Sequence, residues 1–146
     1  MAAQTTQTFE NHVRILPAFH YVTLPLILIN FLYAVYQALF HFGVGTVMAL
    51  VVAFALILVA LFSRMMTITV QDRLIRLEER MRMRTLLPAD LQGRIEEFGV
   101  KQLVALRFAS DAELPALARK VLDEKIQDQK SIKKLVQHWR ADYQRA

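Results

Sequence analysis

The chain has 146 residues and no cysteine, which excludes disulfides, thiol catalysis, zinc–thiolate sites and iron–sulfur clusters. Its net charge of +5 is distributed very unevenly. Residues 15–63 contain no Asp, Glu, Lys or Arg, whereas residues 64–146 hold 17 of the 18 basic and 12 of the 13 acidic side chains. The composition therefore predicts an apolar part followed by a water-soluble part.

The charge-free segment, residues 15–63, is too long for one membrane crossing and fits two. A crossing takes about 20 apolar residues, because the hydrocarbon core is roughly 30 Å thick and a helix rises about 1.5 Å per residue. Two glycines and a histidine within residues 41–45 favour a tight turn. We therefore predict spans at residues 19–40 and 46–62, which together form a transmembrane helical hairpin over residues 19–63.

The basic residues that flank the spans predict the orientation of this hairpin. The turn has no Lys or Arg, Arg14 precedes the first span, and six arginines follow the second: Arg64, Arg73, Arg76, Arg80, Arg82 and Arg84. The positive-inside rule then places both termini in the cytoplasm, with residues 1–18 as a cytoplasmic segment of a multi-pass protein of the bacterial inner membrane. The arginines from Arg64 to Arg84 are also expected to attract anionic lipid headgroups.

Several residues inside the spans suit helix–helix packing. Asn30 lies near the middle of the first span, where its carboxamide can hydrogen-bond to another helix. Small residues at four-residue spacing allow close approach, within the hairpin or between copies: Ala34 and Ala38 in the first span, and Gly45, Ala49 and Ala53 in the second. No ionisable group lies at the midplane, which argues against a transport pathway.

The second span is predicted to continue into the cytoplasm as a juxtamembrane stalk helix over residues 64–88. This segment has no glycine, and its only proline, Pro88, ends it. Four apolar residues in it follow the 4-3-4 spacing of an a/d row: Val70, Leu74, Leu77 and Met81. Two alternatives are open. The row docks another copy or a partner, or it packs against the protein's own C-terminal helices.

Residues 89–146 are predicted to form a small cytoplasmic helical domain. Residues 110–113 read as a capping box, with Ser110 and Glu113 three apart before an apolar run. A last helix is expected to carry the apolar residues Ile126, Ile132, Leu135, Val136 and Trp139.

The chain lacks the sequence patterns of catalysis and of cofactor or metal binding. It has no glycine-rich phosphate loop, no serine near a histidine base and no His/Glu metal spacing, so we predict neither an enzyme nor a cofactor. Lys130, Lys133 and Lys134 on a short helix suggest a helix-turn-helix in outline. Residues 90–146 hold eleven basic and nine acidic side chains, a small excess for a phosphate-binding domain, so nucleic acid is not the expected partner.

Three parts of the chain carry a family resemblance: residues 70–80, residues 102–117, and residues 131–134 with 139–143. They resemble the motifs of an uncharacterised family of small bacterial membrane proteins, defined only as a domain of unknown function. Together with the hairpin, the likeness covers the chain from about residue 9 onward. The resemblance implies two transmembrane helices and a cytoplasmic helical region, and it brings no activity, ligand or catalytic residue.

Charged residues within these motifs predict a salt-bridged joint between the stalk helix and the C-terminal helices, formed by Asp72, Arg73, Arg76, Arg107 and Asp111. The sequence thus predicts an all-α protein with a hairpin, an extended second helix and a small helical domain. The expected function is that of a membrane accessory or scaffold protein, which presents its cytoplasmic domain to a partner or to copies of itself. It would act as a homo-oligomer or as a subunit of a larger membrane complex. The alternatives are a membrane-tethered nucleic-acid-binding regulator and an oligomeric small-solute channel.

Overall fold

The computed structural model of the protein describes residues 7–10 and 15–142, and these are helical apart from turns, extended segments and one isolated bridge. Arg14, which supports the predicted orientation, and Tyr143, which belongs to the third family motif, lie outside the described residues. The chain divides into two compact units, residues 14–68 and residues 69–146 together with 1–13. The predicted all-α fold class, with two long apolar helices followed by smaller ones, is confirmed.

The hairpin unit is formed by helix α1 (Leu24–Phe40) and the first part of helix α2 (Val44–Leu86). The connection between them covers residues 41–43 and is shorter than the predicted turn at 41–45, because Val44 and Gly45 already belong to α2. The Thr46 hydroxyl explains the early start of α2. It accepts the Gly43 N–H at 3.0 Å and donates to the Gly43 carbonyl at 2.8 Å, which satisfies backbone groups at the helix end.

A π-helical turn, Ala18–Thr23, precedes α1 and was not predicted. Pro25 accounts for it. Proline has no N–H and its ring crowds the carbonyl four residues back, so a regular α-helical register is disfavoured here. The Leu24 N–H bonds instead to the Phe19 carbonyl, five residues back, and the Thr23 hydroxyl donates to the Ala18 carbonyl at 3.1 Å.

The interior of the hairpin is built from small side chains. Ala34 and Ala53 are the most buried described residues of this unit, at 5% and 1% exposure. The ring centroids of Phe31 in α1 and Phe54 in α2 lie 6.4 Å apart. Small residues at such positions let two helix backbones approach closely. The other predicted packing residues lie further out: Ala38 is half-buried, whereas Asn30, Gly45 and Ala49 are exposed.

The second unit contains the end of α2 and a series of short helices. These are α3 (Ala89–Gln92), a 3₁₀ turn (Ile95–Glu97), α4 (Val100–Leu106), α5 (Leu114–Asp123) and α6 (Gln129–Leu135). The long helix ends at Leu86, close to the predicted stop at Pro88, which is extended and begins the next segment.

Large apolar side chains from all of these helices form one core: Met83, Leu91, Leu103, Leu106, Leu114, Val121 and Ile132. Among the residues that the structure describes, one carboxamide is buried beside them. Gln102, at 3% exposure, accepts the Gly99 N–H and donates to the Ile126 carbonyl, both at 2.8 Å. Both of these contacts satisfy a polar group that burial would otherwise penalise, and they connect α4 to the segment before α6.

The predicted last helix is too long. Helix α6 covers only Gln129–Leu135, and the chain after it is extended. Trp139 faces Ala109 in an antiparallel bridge, and the Arg140 N–H donates to the Phe108 carbonyl at 2.7 Å. These non-local hydrogen bonds, together with the contact between the tilted Trp139 and Phe108 rings, whose centroids lie 4.9 Å apart, outweigh continuation of the helix.

The predicted capping box is half formed. The Ser110 hydroxyl accepts the Glu113 N–H at 3.3 Å, as the pattern predicts. The Glu113 carboxylate does not return to Ser110. It accepts the backbone N–H groups of Gln137 and His138 at 2.8 and 3.0 Å, so it holds the extended C-terminal segment against the start of α5.

The core predicts different stability effects for the substitution of two leucines. Leu103 is fully buried and Leu74 is 54% exposed. We expect Leu103→Ala to lower the free energy of unfolding by about 2–5 kcal/mol, because it leaves a cavity. Leu74→Ala should change it by no more than about 0.5 kcal/mol. Emission of Trp139, the only tryptophan, reports unfolding of this unit during denaturant titration of the full chain in micelles. Equal losses for the two variants would contradict this core.

Candidate interaction site

The stalk part of α2, within residues 69–86, has one buried face. Ile75, Glu79 and Met83 follow each other at four-residue steps, so they lie on the same side of the helix. Their exposed fractions are 5%, 5% and 0%, and Met83 belongs to the hydrophobic core. A glutamate in the middle of this buried row requires polar partners, because an unpaired buried charge is strongly unfavourable.

Arg82 supplies the partner and connects the stalk to the chain between α4 and α5. Its guanidinium donates to Asp111 Oδ1 at 2.7 and 2.9 Å, to Glu79 Oε2 at 3.1 Å, and to the Ala109 carbonyl at 2.7 Å. The Arg82 side chain is 11% exposed. A planar guanidinium can make several such bonds at once in a fixed geometry, and bonds between charged groups are stronger than neutral ones.

Burial and neighbouring positive charges shift the pKa of the Glu79 carboxyl in opposite directions. Burial raises the pKa of Glu79 above its ordinary value of 4.5, because desolvation penalises the charged form. The positive charges of Arg82, then Arg140 at 3.8 Å, then Arg107 lower the pKa without cancelling the effect of burial. The net shift is upward, so the folded state binds a proton at Glu79 more readily than the unfolded chain does.

Among the described residues, ion pairs join the stalk to the C-terminal part of this unit, but of the five residues predicted to form the joint only Asp111 contributes to them. Asp111 takes part through Arg82. Arg107 is 6% exposed and holds the C-terminal segment, with its guanidinium 4.6 Å from the Phe108 ring centroid and its Nε 3.4 Å from Asp142 Oδ2. Within residues 7–10 and 15–142, no ion pair joins Asp72, Arg73 or Arg76 to the C-terminal helices.

The opposite side of the stalk helix is apolar and exposed. The predicted a/d row has exposed fractions of 67% for Val70, 54% for Leu74, 59% for Leu77 and 61% for Met81. At about 100° per residue, Leu74 and Glu79 are separated by roughly 140° around the helix axis. We call these four residues the stalk stripe. The described C-terminal helices leave it exposed, which argues against packing on the protein's own helices, one of the two alternatives raised by its spacing.

The stalk arginines fall into two groups. Arg80 and Arg84 contact Glu96 at 2.7 and 3.6 Å, and Arg82 contacts Asp111, so these three are neutralised by carboxylates of the protein itself. Arg64, Arg73 and Arg76 make no ion pair with another described residue. The stalk arginines that have no carboxylate partner among the described residues are therefore those nearest the hairpin.

Sequence reasoning missed Glu79 and Arg82, although a local signal was present. Ile75, Glu79 and Met83 form a second row opposite the stalk stripe, and a carboxylate within an apolar row, with an arginine three residues later, indicates a buried ion pair. The contribution of Arg140 has no such local signal, because it comes from the far end of the chain.

The described residues contain no group of three or more His, Cys, Asp or Glu side chains that could hold a metal ion.

The whole chain, residues 1–146, matches a family of unknown function (DUF6526). The chain belongs to this family. The resemblance to a family without an assigned function is thereby confirmed. No curated protein and no solved structure matches the chain.

The Arg82 pair should be important for stability. We expect Arg82→Met to lower the free energy of unfolding by about 3 kcal/mol, because it leaves Glu79 buried without its nearest partner while Arg140 and Arg107 remain. Arg119→Met is the matched control: it breaks an exposed 2.6 Å contact with Asp90 and should cost at most about 1 kcal/mol. Denaturant titration of the full chain, followed by Trp139 emission, measures both.

Glu79→Gln in the Arg82→Met background removes the stranded charge, and it should recover part of the lost stability. If the double variant is as unstable as Arg82→Met alone, or less stable, the loss does not arise from an unpaired Glu79.

The raised pKa of Glu79 predicts a pH dependence. The stabilising contribution of the protonated carboxyl is fully present below about pH 4.5 and is lost as the pH rises through the folded-state pKa. The stability of the wild type minus that of Glu79→Gln should therefore fall as pH rises from about 4.5 and then level off. Denaturant titrations between about pH 4 and pH 8 measure this difference. A difference that rises with pH would contradict the assigned direction.

Proposed function

We propose that this protein is an integral membrane accessory or scaffold protein. Its hairpin anchors it in the bacterial inner membrane, both termini lie in the cytoplasm, and the stalk stripe is the surface that it offers to another chain. The observation that carries the proposal is the stalk stripe itself: a row of large apolar side chains that stays exposed on a helix whose opposite face is held by the Arg82 network.

The surface of the hairpin supports membrane insertion. Two helices are long and apolar enough to cross a bilayer, Ala18–Phe40 and Val44–Leu86, and only 6% of the apolar window in each is buried. A core helix of a soluble protein would be mostly buried. Apolar surface exposed to water is unfavourable by about 25 cal/mol per Å², so a surface of this extent favours lipid as its surroundings.

A contact between the two ends of the chain supports the proposed topology. The Gln7 carboxamide accepts the Asp142 N–H at 2.8 Å and donates to the Asp142 carbonyl at 3.5 Å. Gln7 precedes the first span and Asp142 follows the second, so this contact agrees with an even number of crossings. The arginines after the second span favour the cytoplasmic side for both ends.

The two other functions that the sequence allowed have less support. Lys133, one of the three lysines of a nucleic-acid surface, lies with its Nζ 5.3 Å from the Phe108 ring centroid. Of the four polar residues available to line a channel, Thr23 and Thr46 bond to backbone carbonyls, Gln37 donates to the Tyr33 hydroxyl, and Asn30 is exposed. Lys133, Thr23, Thr46 and Gln37 thus each have a local partner.

The absence of native cysteine makes the topology directly testable. Gly43→Cys places a thiol in the turn, where an added Cβ meets no atom within 4 Å, and Ala116→Cys places one on the exposed surface of α5. A membrane-impermeant maleimide applied to sealed vesicles of each orientation should label the thiol of Gly43→Cys only from the periplasmic side. It should label the thiol of Ala116→Cys only from the cytoplasmic side. Labelling of both variants from one side would overturn the proposed topology.

Docking at the stalk stripe can be tested in native membranes. A benzophenone attached to Leu77→Cys should give a protein–protein crosslinked product on illumination, because Leu77 lies in the stripe. The matched control is Arg76→Cys, which is exposed on the same helix but lies outside the stripe. Absence of a product at residue 77, or equal products at both residues, would contradict the proposed role of the stripe.

A further inference from the structure

We infer that the stalk stripe is the seam of a parallel homodimer, in which the stalk helix of a second copy of this chain lies alongside in register. The inference rests on the proposed membrane anchoring, which gives every copy the same orientation. It names the partner that the proposed function leaves open.

The stripe occupies the positions that such a seam requires. With Leu74 at heptad position a, Val70 and Leu77 fall at d and Met81 at the next a. In a two-stranded coiled coil, residues at a and d of one helix fit between four residues of the other. These positions are exposed in the single chain, so a second helix can reach them without displacing any part of the described structure.

The protein's own domain does not obstruct this seam. The buried residues Ile75, Glu79 and Met83 fall at heptad positions b, f and c, on the side away from a and d. The Arg82 network holds this side against the C-terminal part of the unit. Each copy can therefore keep its own contacts while the stripe of one stalk meets the stripe of the other.

Charges beside the stripe match a parallel partner. Arg73 is at position g, and Glu78 is at position e of the following heptad. In a parallel dimer a g residue lies beside the e residue five positions later on the other helix, so two symmetric Arg73–Glu78 pairs form. Both residues are exposed, and neither makes an ion pair with another described residue. An antiparallel pair would place g beside g and e beside e, which brings like charges together.

The same charges favour a protein helix over a lipid surface as the occupant. A helix that lies on an anionic membrane carries basic residues along both borders of its apolar row. Here one border of the stripe carries Arg73 and Arg80, of which Arg80 is already paired with Glu96, whereas the other border carries Gln71 and Glu78. Glu78 would be repelled by anionic headgroups, but it is matched by an arginine of a second copy.

Two heptads are short for a coiled coil, and two features compensate. The stalk belongs to a helix of 43 residues that is already formed, so association does not need to order it. Anchoring in a bilayer confines the copies to one orientation and raises their effective concentration. Association is thus expected in membranes or at high protein-to-detergent ratios and is expected to weaken on dilution.

Cysteine crosslinking of the full chain tests the seam. Purified Leu74→Cys and Leu77→Cys, reconstituted in liposomes and mildly oxidised, should form disulfide-linked dimers because residues at a and d face their counterparts. Arg76→Cys is exposed on the same helix at position c, so it should form roughly a tenth as much dimer, since a disulfide needs Cβ atoms about 3.5–4.5 Å apart. Equal crosslinking at the three positions would overturn the seam.

Charge reversal tests the register without touching the apolar residues. Arg73→Glu or Glu78→Arg converts two attractive pairs per dimer into repulsive ones, so each should weaken dimerisation roughly tenfold. The double variant should restore it, and Arg76→Glu should leave it unchanged. Energy transfer between copies labelled at Ala116→Cys, measured against the protein-to-lipid ratio, gives the affinity. Single reversals without effect, or a double variant as weak as the singles, would overturn the parallel register.

These outcomes separate the dimer from the proposed function. If residue 77 crosslinks to a different protein in native membranes while the purified chain stays monomeric in liposomes, the dimer inference fails and the scaffold proposal stands. If the benzophenone at residue 77 reacts only with lipid, both fail. If it crosslinks to a second copy and the disulfide scan agrees, both are supported.

Discussion

The buried ion pair between Glu79 and Arg82 is the interaction on which the organisation of the stalk depends. A carboxylate at 5% exposure would be strongly destabilising alone, so the helix must turn the side that carries it toward the guanidinium and the Asp111 carboxylate. Because a helix is rigid about its axis over a few turns, this contact fixes the rotation of the stalk relative to the C-terminal helices. The direction in which the stalk stripe points is therefore a consequence of where Glu79 is buried.

The arginines of the stalk fall into two groups along the helix. The arginines at and after Arg80 form ion pairs with carboxylates of the protein itself, such as those of Glu96 and Asp111. Those before it make no ion pair with another described residue, and Arg73 and Arg76 are exposed. Arginines that look equivalent as a basic cluster thus serve two purposes: the distal ones stabilise the domain, and the proximal ones face its surroundings.

Features that depend on local spacing could be predicted from the sequence. The hairpin follows from the charge-free stretch, the end of α2 from Pro88, and the stripe from the 4-3-4 spacing that ends at Met81. What escaped prediction depends on partners far away in the chain or on backbone register. Trp139 leaves the predicted last helix because it pairs with Ala109, and Pro25 shifts the register of the turn before α1. The joint was expected at Asp72 and lies about two turns further along, because burial of the stalk begins at Ile75.

Thiol reactivity along the stalk measures which face of this helix is buried and which is exposed. Single cysteines at each position from 70 to 84, in full chains kept monomeric by excess detergent, would be reacted with a maleimide. We expect rates with helical periodicity: fast at Val70, Leu74, Leu77 and Met81, and much slower at Ile75 and Met83. Slow reaction along the stripe in the monomer would show that the stripe is covered, and uniform rates would show that neither face is protected. Either result would contradict a helix with one buried and one exposed face.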